Sequence, residues 1–217
     1  EIGVRLVGSE MCIRDSYQPS IAERPNVEEQ TIHVLYSYEE LLQKTYSLIR
    51  EPQIKHVSQL IGEHTRIFLY GFGSSGLAAQ EFQLRLLRLG MDAEAITELH
   101  QMVLNEARIT NACLVIGISL SGATRELIDA LDRAKARGAA VIYLTSSNAE
   151  REKRTYEEIV LAPVKKNLEY GNVISPQFPI LLILDLIYAQ LLKEDRRSTE
   201  AQYDTHIWER IKDYHVG

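Results

Sequence analysis

Two short segments rich in glycine and hydroxyl side chains have the composition of anion-binding loops. The first loop, GFGSSG, covers residues 71–76, and the second loop, SLSGAT, covers residues 119–124. Each follows an apolar run and precedes a stretch with helical spacing, so N–H groups at a helix N-terminus would add to the hydroxyl donors. Glycine also lets backbone N–H groups approach a ligand closely. Five hydroxyls and two helix N-termini favour a phosphate group, which has three oxygens to satisfy.

The first loop alone also matches G-x-G-x-x-G, the dinucleotide fingerprint that lies between a strand and a helix. Glu94 or Glu98 would then be the acid that binds the ribose. The second loop argues against this alternative, since a dinucleotide crevice has no use for Ser-x-Ser-Gly-x-Thr after its third strand. A further alternative is that the serines only cap helices, but capping does not explain paired hydroxyls in both loops.

The elements that must hold the two loops alternate between short apolar strands and amphipathic helices. Strands are predicted at residues 66–70, 93–96, 112–118, 141–144 and 158–161, and helices at residues 77–89, 98–107, 124–137 and 175–192. This alternation predicts the α/β class with a doubly wound, five-stranded parallel sheet. In the flavodoxin-like order 2-1-3-4-5 the first and third strands are neighbours, so both loops would line one crevice.

Two helices are predicted before the sheet. Apolar residues at positions 35, 38, 42, 46 and 49 have the spacing of one helix, and Pro52 begins a second that contains Ile54, Val57 and Ile61. The predicted organisation is therefore a linker and N-terminal helices at residues 17–65, the sheet domain at residues 66–195, and a C-terminal helix at residues 196–217.

The first 16 residues do not fit this organisation. Residues 5–16 are RLVGSEMCIRDS, and Leu6–Ser16 can be back-translated as a transposase-type sequencing adapter read in one frame. We therefore expect residues 1–16 to be non-native. Cys12 lies in this segment, which leaves Cys113 as the single native cysteine. The segment holds two basic and three acidic residues, so without it the net charge is −5 instead of −6.

The composition is that of one globular domain: 217 residues, of which 45% are hydrophobic and 25% charged. The negative charge argues against electrostatic binding to nucleic acid by this chain alone. The longest apolar run, residues 178–184, is too short to span a membrane and ends at Asp185. With no pattern of a secretory signal and no disulfide framework, we expect a cytoplasmic protein with no membrane partner.

Taken together, these segments resemble the SIS (sugar isomerase) domain. The resemblance covers about residues 60–192, and its marks are GFGSSG, GISLSGATRE and a strand that ends in Leu144-Thr145-Ser146. More narrowly, the chain is similar to the effector domain of RpiR-type transcriptional regulators in LLQKTYSLI, EFQLRLLRLG and GNVISPQFPILLILDLIYAQLL. The resemblance implies a sugar-phosphate ligand bound by the hydroxyls of Ser74, Ser75, Ser119, Ser121 and Thr124, beside the loop glycines Gly73 and Gly122.

His100 follows the second predicted strand. The resemblance places a histidine here in many regulator domains, where it contacts the sugar. A histidine on the helix surface or in the core is the alternative for this position.

A catalytic role is the main alternative to sensing. A sugar-phosphate isomerase needs a positioned base to move a proton between adjacent carbons, and enzymes of this family usually carry Glu within Ser-x-Ser-Gly-Glu-Thr, where this chain has Ala123. We therefore expect a ligand-sensing domain without catalytic residues, with an isomerase that uses Glu98, Glu126 or Glu169 as the alternative. No cofactor or metal ion is expected, because the histidines lack the spacing of a metal site.

The remaining polar residues have less specific interpretations. Cys113 lies in an apolar strand and is expected in the core, whereas Asp185 interrupts an apolar helix and, if buried, needs a partner, across a subunit contact or as a helix cap. Residues 151–154 and Lys165 with Lys166 are expected on solvated surfaces, although one of them could steer an anion. We expect a homodimer through helices that flank the sheet, including residues 175–192. The resemblance to RpiR-type regulators implies that DNA is contacted only through a helix-turn-helix domain upstream of this segment.

Overall fold

The computed structural model describes residues 29–146, 155–163 and 174–198. Predictions for the adapter-like residues, for residues 151–154, for Lys165, Lys166 and Glu169, and for a C-terminal helix beyond residue 198 lie outside the described residues. Among the described residues, no helix has the length and apolarity needed to cross a membrane.

Strands and helices alternate along the described chain. The strands are β1 (Arg66–Gly71), β2 (Ala93–Ile96), β3 (Cys113–Ser119), β4 (Ala140–Thr145) and β5 (Glu158–Leu161). The helices are α1 (Glu29–Leu48), α2 (Glu51–Glu63), α3 (Gly73–Arg88), α4 (Leu99–Asn105), α5 (Arg125–Ala136) and α6 (Phe178–Ser198), and a 3-10 turn (Glu106–Arg108) follows α4. Each strand is within two residues of its predicted bounds.

The five strands form one parallel sheet in the order β2-β1-β3-β4-β5. This confirms the predicted fold class and strand order. Helices cover both faces, so alternate residues of the central strands are buried in two separate cores. Leu69 and Ile116 pack against α2, α3 and α6 on one face, whereas Tyr70 and Val115 pack against α4 and α5 on the other.

Helix α6 buries one side of its apolar surface inside the chain. It packs against α1, α2 and α3, and buries Ile180, Ile183 and Ile187. Asp185, which interrupts the apolar sequence of this helix, is 50% exposed, and its partner lies within the chain, in an ion pair with Arg85 of α3. Arg85 also bonds to Glu81; burial alone would lower the pKa of Arg85, but the hydrogen bonds to both carboxylates raise it above its ordinary value.

Helix α1 exposes part of the face that its apolar spacing predicts to be buried. Leu42 is 42% exposed and Tyr46 is 76% exposed, whereas Ser37, Leu41 and Thr45 are buried. The Thr45 hydroxyl donates to the Leu41 carbonyl at 2.6 Å, so this polar side chain is buried without losing its hydrogen bond. Of the apolar residues with helical spacing, Leu35 and Tyr38 are half-buried, and the fully buried stripe runs beside them.

Candidate functional site

The register of the sheet brings the two glycine- and serine-rich loops to the same edge. Gly71, the last residue of β1, pairs with Ile118 of β3, and Ser119 pairs with Thr145 of β4. Phe72, the first residue after β1, and Ser119, the last residue of β3, therefore lie at neighbouring positions. Because β1 and β3 are adjacent and their helices lie on opposite faces, the first and second loops flank one crevice at the carboxyl edge.

The first loop is shorter than the sequence predicts, because α3 begins at Gly73 and not at Leu77. The N–H groups of Ser75 and Gly76 donate to the Phe72 carbonyl at 3.1 and 3.2 Å. Gly73 and Ser74 precede them, and their N–H groups have no carbonyl one turn earlier in the helix. The predicted ligands Gly73, Ser74 and Ser75 thus form the first turn of α3, where both backbone N–H groups and hydroxyls are available to an anion.

Close packing explains the glycines of the first loop. A Cβ atom on Gly71 would lie 2.8 Å from the Ser75 carbonyl oxygen, and one on Gly76 would lie 2.9 Å from both the Gly71 oxygen and Thr97 Cγ2. Gly73 adopts a φ of +53°, in the left-handed region. The backbone can therefore make this turn only with small residues, and it places the first turn of α3 directly over the end of β1.

In the second loop, three hydroxyl groups converge. Ser119 Oγ lies 3.3 Å from Ser121 Oγ and 3.2 Å from Thr124 Oγ1, and the Ala123 N–H donates to Ser121 Oγ at 3.3 Å. Gly122 has a φ of +63°, and its N–H donates to the Ser119 carbonyl at 3.2 Å, which closes a tight turn. Ser119 is buried, Thr124 is half-buried and Ser121 is exposed, so the cluster extends from the end of β3 to solvent.

Helix capping does not account for these hydroxyls. The N-cap residue of α3 is Phe72, and the N-cap residue of α5 is Thr124; neither makes a side-chain capping hydrogen bond. The Thr124 hydroxyl instead bonds to Ser119. The N-terminal N–H groups of both helices are therefore left without a side-chain cap, as an anion site at a helix start requires.

The structure does not support Glu94 as the ribose-binding acid that a dinucleotide site would need. This residue pairs with Phe68 within the sheet, and its carboxylate accepts hydrogen bonds from Arg66 and Arg108, each at 2.6 Å. The hydrogen bond from Arg108 is the main cause that holds the pKa of Glu94 below its ordinary value. Glu94 is thus committed to an ion-pair network, and Glu98, the other candidate, is an exposed residue at the start of α4.

His100 lies in the first turn of α4, three residues beyond Thr97, the residue that packs against Gly76. Its side chain is exposed, and within the part of the chain that the structure describes it makes no hydrogen bond to either loop. The structure therefore places His100 after β2, at the carboxyl edge that carries both loops, without a hydrogen bond to either of them among the described residues.

Two hydrogen bonds of residues outside the predicted site support its loops. The Ser146 hydroxyl, just after β4, donates to the Leu120 carbonyl within the second loop. Tyr70, just before the first loop, accepts a hydrogen bond from Asn105 at 2.8 Å, and burial raises the pKa of its hydroxyl. The sequence signal for Ser146 was its place in the strand end Leu144-Thr145-Ser146, one of the marks of the SIS resemblance, whereas Asn105 had none.

The described residues contain no group of three or more His, Cys, Asp or Glu side chains that could hold a metal ion. Cys113 is buried in β3, in agreement with its prediction as a core residue. Glu126 and Ala123 are both exposed near the start of α5. The residues of the two loops themselves, GFGSSG and SLSGAT, carry no charge.

Comparison with known proteins identifies relatives of two kinds. A protein of Haemophilus influenzae named an uncharacterized HTH-type transcriptional regulator is 29% identical over 189 residues, which are 85% of this chain and 66% of that protein. Among solved structures, the Vibrio vulnificus NanR protein complexed with ManNAc-6P matches with a TM-score of 0.74 at 20% identity, over 87% of this chain and 75% of that one. The sugar isomerase domain of the RpiR transcription factor from Sphaerobacter thermophilus matches with a TM-score of 0.71 at 19% identity, over 78% of this chain and 93% of that one.

Isomerases share the same fold. Phosphoheptose isomerase GmhA from Neisseria gonorrhoeae matches with a TM-score of 0.63 at 18% identity, over 75% of this chain and 98% of that one. The chain itself spans 66% and 61% of the lengths of two of the regulator-named proteins that it resembles. The model of the SIS domain family matches residues 59–177, which include both loops and the sheet that holds them. The chain belongs to the SIS domain family.

Proposed function

We propose that this domain binds a sugar phosphate in the crevice between the first and second loops, and that it serves as the effector-sensing domain of an RpiR-type transcriptional regulator of sugar metabolism. The observation that carries the proposal is the convergence of Ser119, Ser121 and Thr124 beside the uncapped start of α5, opposite the uncapped start of α3. A phosphomonoester has the size and charge for such a set of donors.

The phosphate is the part of the ligand that these residues recognise. Ser74, Ser75, Ser121 and Thr124 offer hydroxyls at the mouth of the crevice, and Gly73 and Gly122 allow the backbone to turn close to the anion. The sugar would extend toward the side of His100, whose exposed ring can bond to a sugar hydroxyl. The complex of the V. vulnificus NanR protein with ManNAc-6P supports this class of ligand through a shared fold.

A sensing role is favoured over catalysis by Ala123. Aldose–ketose isomerisation needs a base within reach of the sugar carbons, and alanine supplies none in the position between Gly122 and Thr124. An isomerase is the second candidate, supported by the fold shared with phosphoheptose isomerase. In that case the base would come from Glu98 or Glu126, which are exposed near the crevice, or from Glu169.

DNA would be contacted by a different part of the protein. Between residues 17 and 65 the basic side chains are Arg24, Lys44, Arg50 and Lys55, and acidic residues outnumber them. A recognition helix needs a denser positive face. We therefore propose that DNA is bound by a part of the whole protein that this chain does not cover, since the chain spans 66% and 61% of two regulator-named relatives. We further propose that the whole protein is a cytoplasmic homodimer.

A thermal-shift panel tests the proposal. Fructose 6-phosphate, ribose 5-phosphate and N-acetylmannosamine 6-phosphate would each be compared with the unphosphorylated sugar. At 100 times its dissociation constant a ligand stabilises the folded state by about 2.7 kcal/mol, which raises the melting temperature measurably. We expect at least one phosphorylated sugar to do so and its unphosphorylated partner not to. Equal shifts with both members of every pair would overturn the proposal.

A further inference from the structure

The structure assigns Ser146 a role in forming the phosphate site: we propose that its hydroxyl fixes the orientation of the Leu120–Ser121 peptide, so that the Ser121 N–H faces the crevice. This inference rests on the proposed phosphate site and adds a positioning residue to it. Ser146 acts through the second loop and does not need to touch the ligand.

The affected peptide lies at the centre of a β-turn. The hydrogen bond from the Gly122 N–H to the Ser119 carbonyl, at 3.2 Å, makes Leu120 and Ser121 the two central residues. The peptide between these two residues points in opposite directions in type I and type II turns. A flip of this single peptide would therefore exchange its carbonyl oxygen and its N–H group on the crevice side without disturbing the ends of the turn.

The contact of Ser146 selects one of these orientations. Its hydroxyl donates to the Leu120 carbonyl oxygen, and Ser146 directly follows β4, which lies on the side of β3 away from β1. In a trans peptide the C=O and N–H groups point in opposite directions. With the Leu120 carbonyl held toward β4, the Ser121 N–H is directed toward β1 and the first loop, where the anion is proposed to bind.

The opposite orientation would harm anion binding in two ways. It would turn a carbonyl oxygen toward the negatively charged phosphate, and it would remove one N–H donor from the crevice. Serine at position 121 already disfavours a type II turn, because that turn needs a positive φ at this residue. The Ser146 hydroxyl adds a second restraint, and it connects the end of β4 to the loop that follows β3.

The test uses inorganic phosphate as the probe and follows backbone amides by ¹H–¹⁵N NMR. Ser146→Ala removes the hydroxyl, and Ser146→Thr retains it. Ser47→Ala is the matched control, because Ser47 also donates to a backbone carbonyl, that of Lys44, but lies on α1 away from the crevice. In the unaltered protein we expect saturable shifts at the Ser121 amide and at the first turn of α3.

We expect Ser146→Ala to weaken phosphate binding about three- to tenfold, the scale of one hydrogen bond, and to reduce the shift of the Ser121 amide selectively. Ser146→Thr and Ser47→Ala should titrate like the unaltered protein. The inference is overturned if Ser146→Ala keeps both the affinity and the Ser121 shift. It also fails if the Ser121 amide of the unaltered protein does not respond while the first loop does. A lack of response in both loops would contradict the proposed function itself, and this inference with it.

Discussion

Thr124 occupies the N-cap position of α5, yet its hydroxyl lies 3.2 Å from the Ser119 hydroxyl and makes no capping hydrogen bond to the helix. The residue in the usual capping position thus belongs to a hydroxyl cluster at the end of β3. This arrangement separates two possible roles of the residue, because a cap stabilises the fold whereas a ligand contact stabilises only the complex.

Thr124→Val tests that separation with little change in side-chain shape. We expect sugar-phosphate affinity to fall by about 1.5–3 kcal/mol, the scale of a hydrogen bond to a charged group. The free energy of unfolding without ligand should change little, since no capping bond is lost and Ser119, which loses its bond to Thr124, keeps its bond to Ser121. Calorimetry and chemical denaturation measure the two quantities. A loss of about 1 kcal/mol in unfolding free energy, with affinity unchanged, would identify Thr124 as an ordinary cap.

The purified domain should not interconvert aldose and ketose phosphates. The expectation rests on Ala123, since no carboxylate occupies the place of the base in the second loop. A coupled assay over pentose, hexose and amino-sugar phosphates checks this. Turnover that disappears in Glu98→Gln or Glu126→Gln would establish the isomerase alternative instead.

A homodimer remains a prediction, and the structure changes the surface on which we expect it. Helix α6 buries Ile180, Ile183 and Ile187 within the chain and leaves residues such as Leu182 partly buried, whereas Leu77 and Leu84 of α3 are 58% and 60% exposed on one face of that helix. Exposed apolar residues grouped in this way are typical of protein interfaces. Leu84→Glu should convert a dimer into a monomer in light scattering, and Tyr46→Glu on α1 should not. A monomeric starting protein at micromolar concentration would refute the prediction.

Glu157 should make the stability of the sheet depend on pH. Burial alone would raise the pKa of its carboxyl, but hydrogen bonds from Lys135 and from the Val141 N–H lower it below the ordinary value. A lowered pKa in the folded state means that the contribution is present above the unfolded pKa, about 4.3, and is lost as the pH falls through the lower folded value.

We therefore expect Glu157→Gln to lower the free energy of unfolding by roughly 0.5–1 kcal/mol at pH 7, since the pair is partly exposed to solvent. The difference from the unaltered protein should shrink as the pH falls below about 4.3. Urea denaturation at several pH values measures this. Glu63→Gln, at an exposed glutamate of α2, is the control. A difference that is independent of pH would contradict the assignment.

The strand order and the meeting of the two loops could be predicted from the sequence, because apolar strands alternate with amphipathic helices and each loop follows a strand. The start of α3 could not be predicted from the sequence. Glycines at positions 71, 73 and 76 suggest a loop, but Gly73 begins a helix, and a Cβ on Gly76 in its first turn would lie only 2.9 Å from the Gly71 oxygen and from Thr97 Cγ2. Tertiary packing, and not local propensity, determines this boundary.

Contacts between residues that are far apart along the chain could not be predicted from the sequence either. The partner of Asp185 is Arg85 of α3, which lies 100 residues away in the chain. Similarly, Ser146 contacts a carbonyl 26 residues earlier. Hydrophobic spacing identifies faces of single elements, whereas such pairs depend on how the elements are packed together.

The most direct test of the phosphate site is calorimetric titration of a double variant, Ser74→Ala with Ser121→Ala, which removes one hydroxyl from each loop. The ligand would be a sugar phosphate that raises the melting temperature of the unaltered protein. The single variant Ser121→Ala should bind about 1.5–3 kcal/mol more weakly, and the double variant should bind more weakly still. Ser47→Ala should bind as the unaltered protein does. If the double variant binds with unchanged affinity, the sugar phosphate does not lie between these loops.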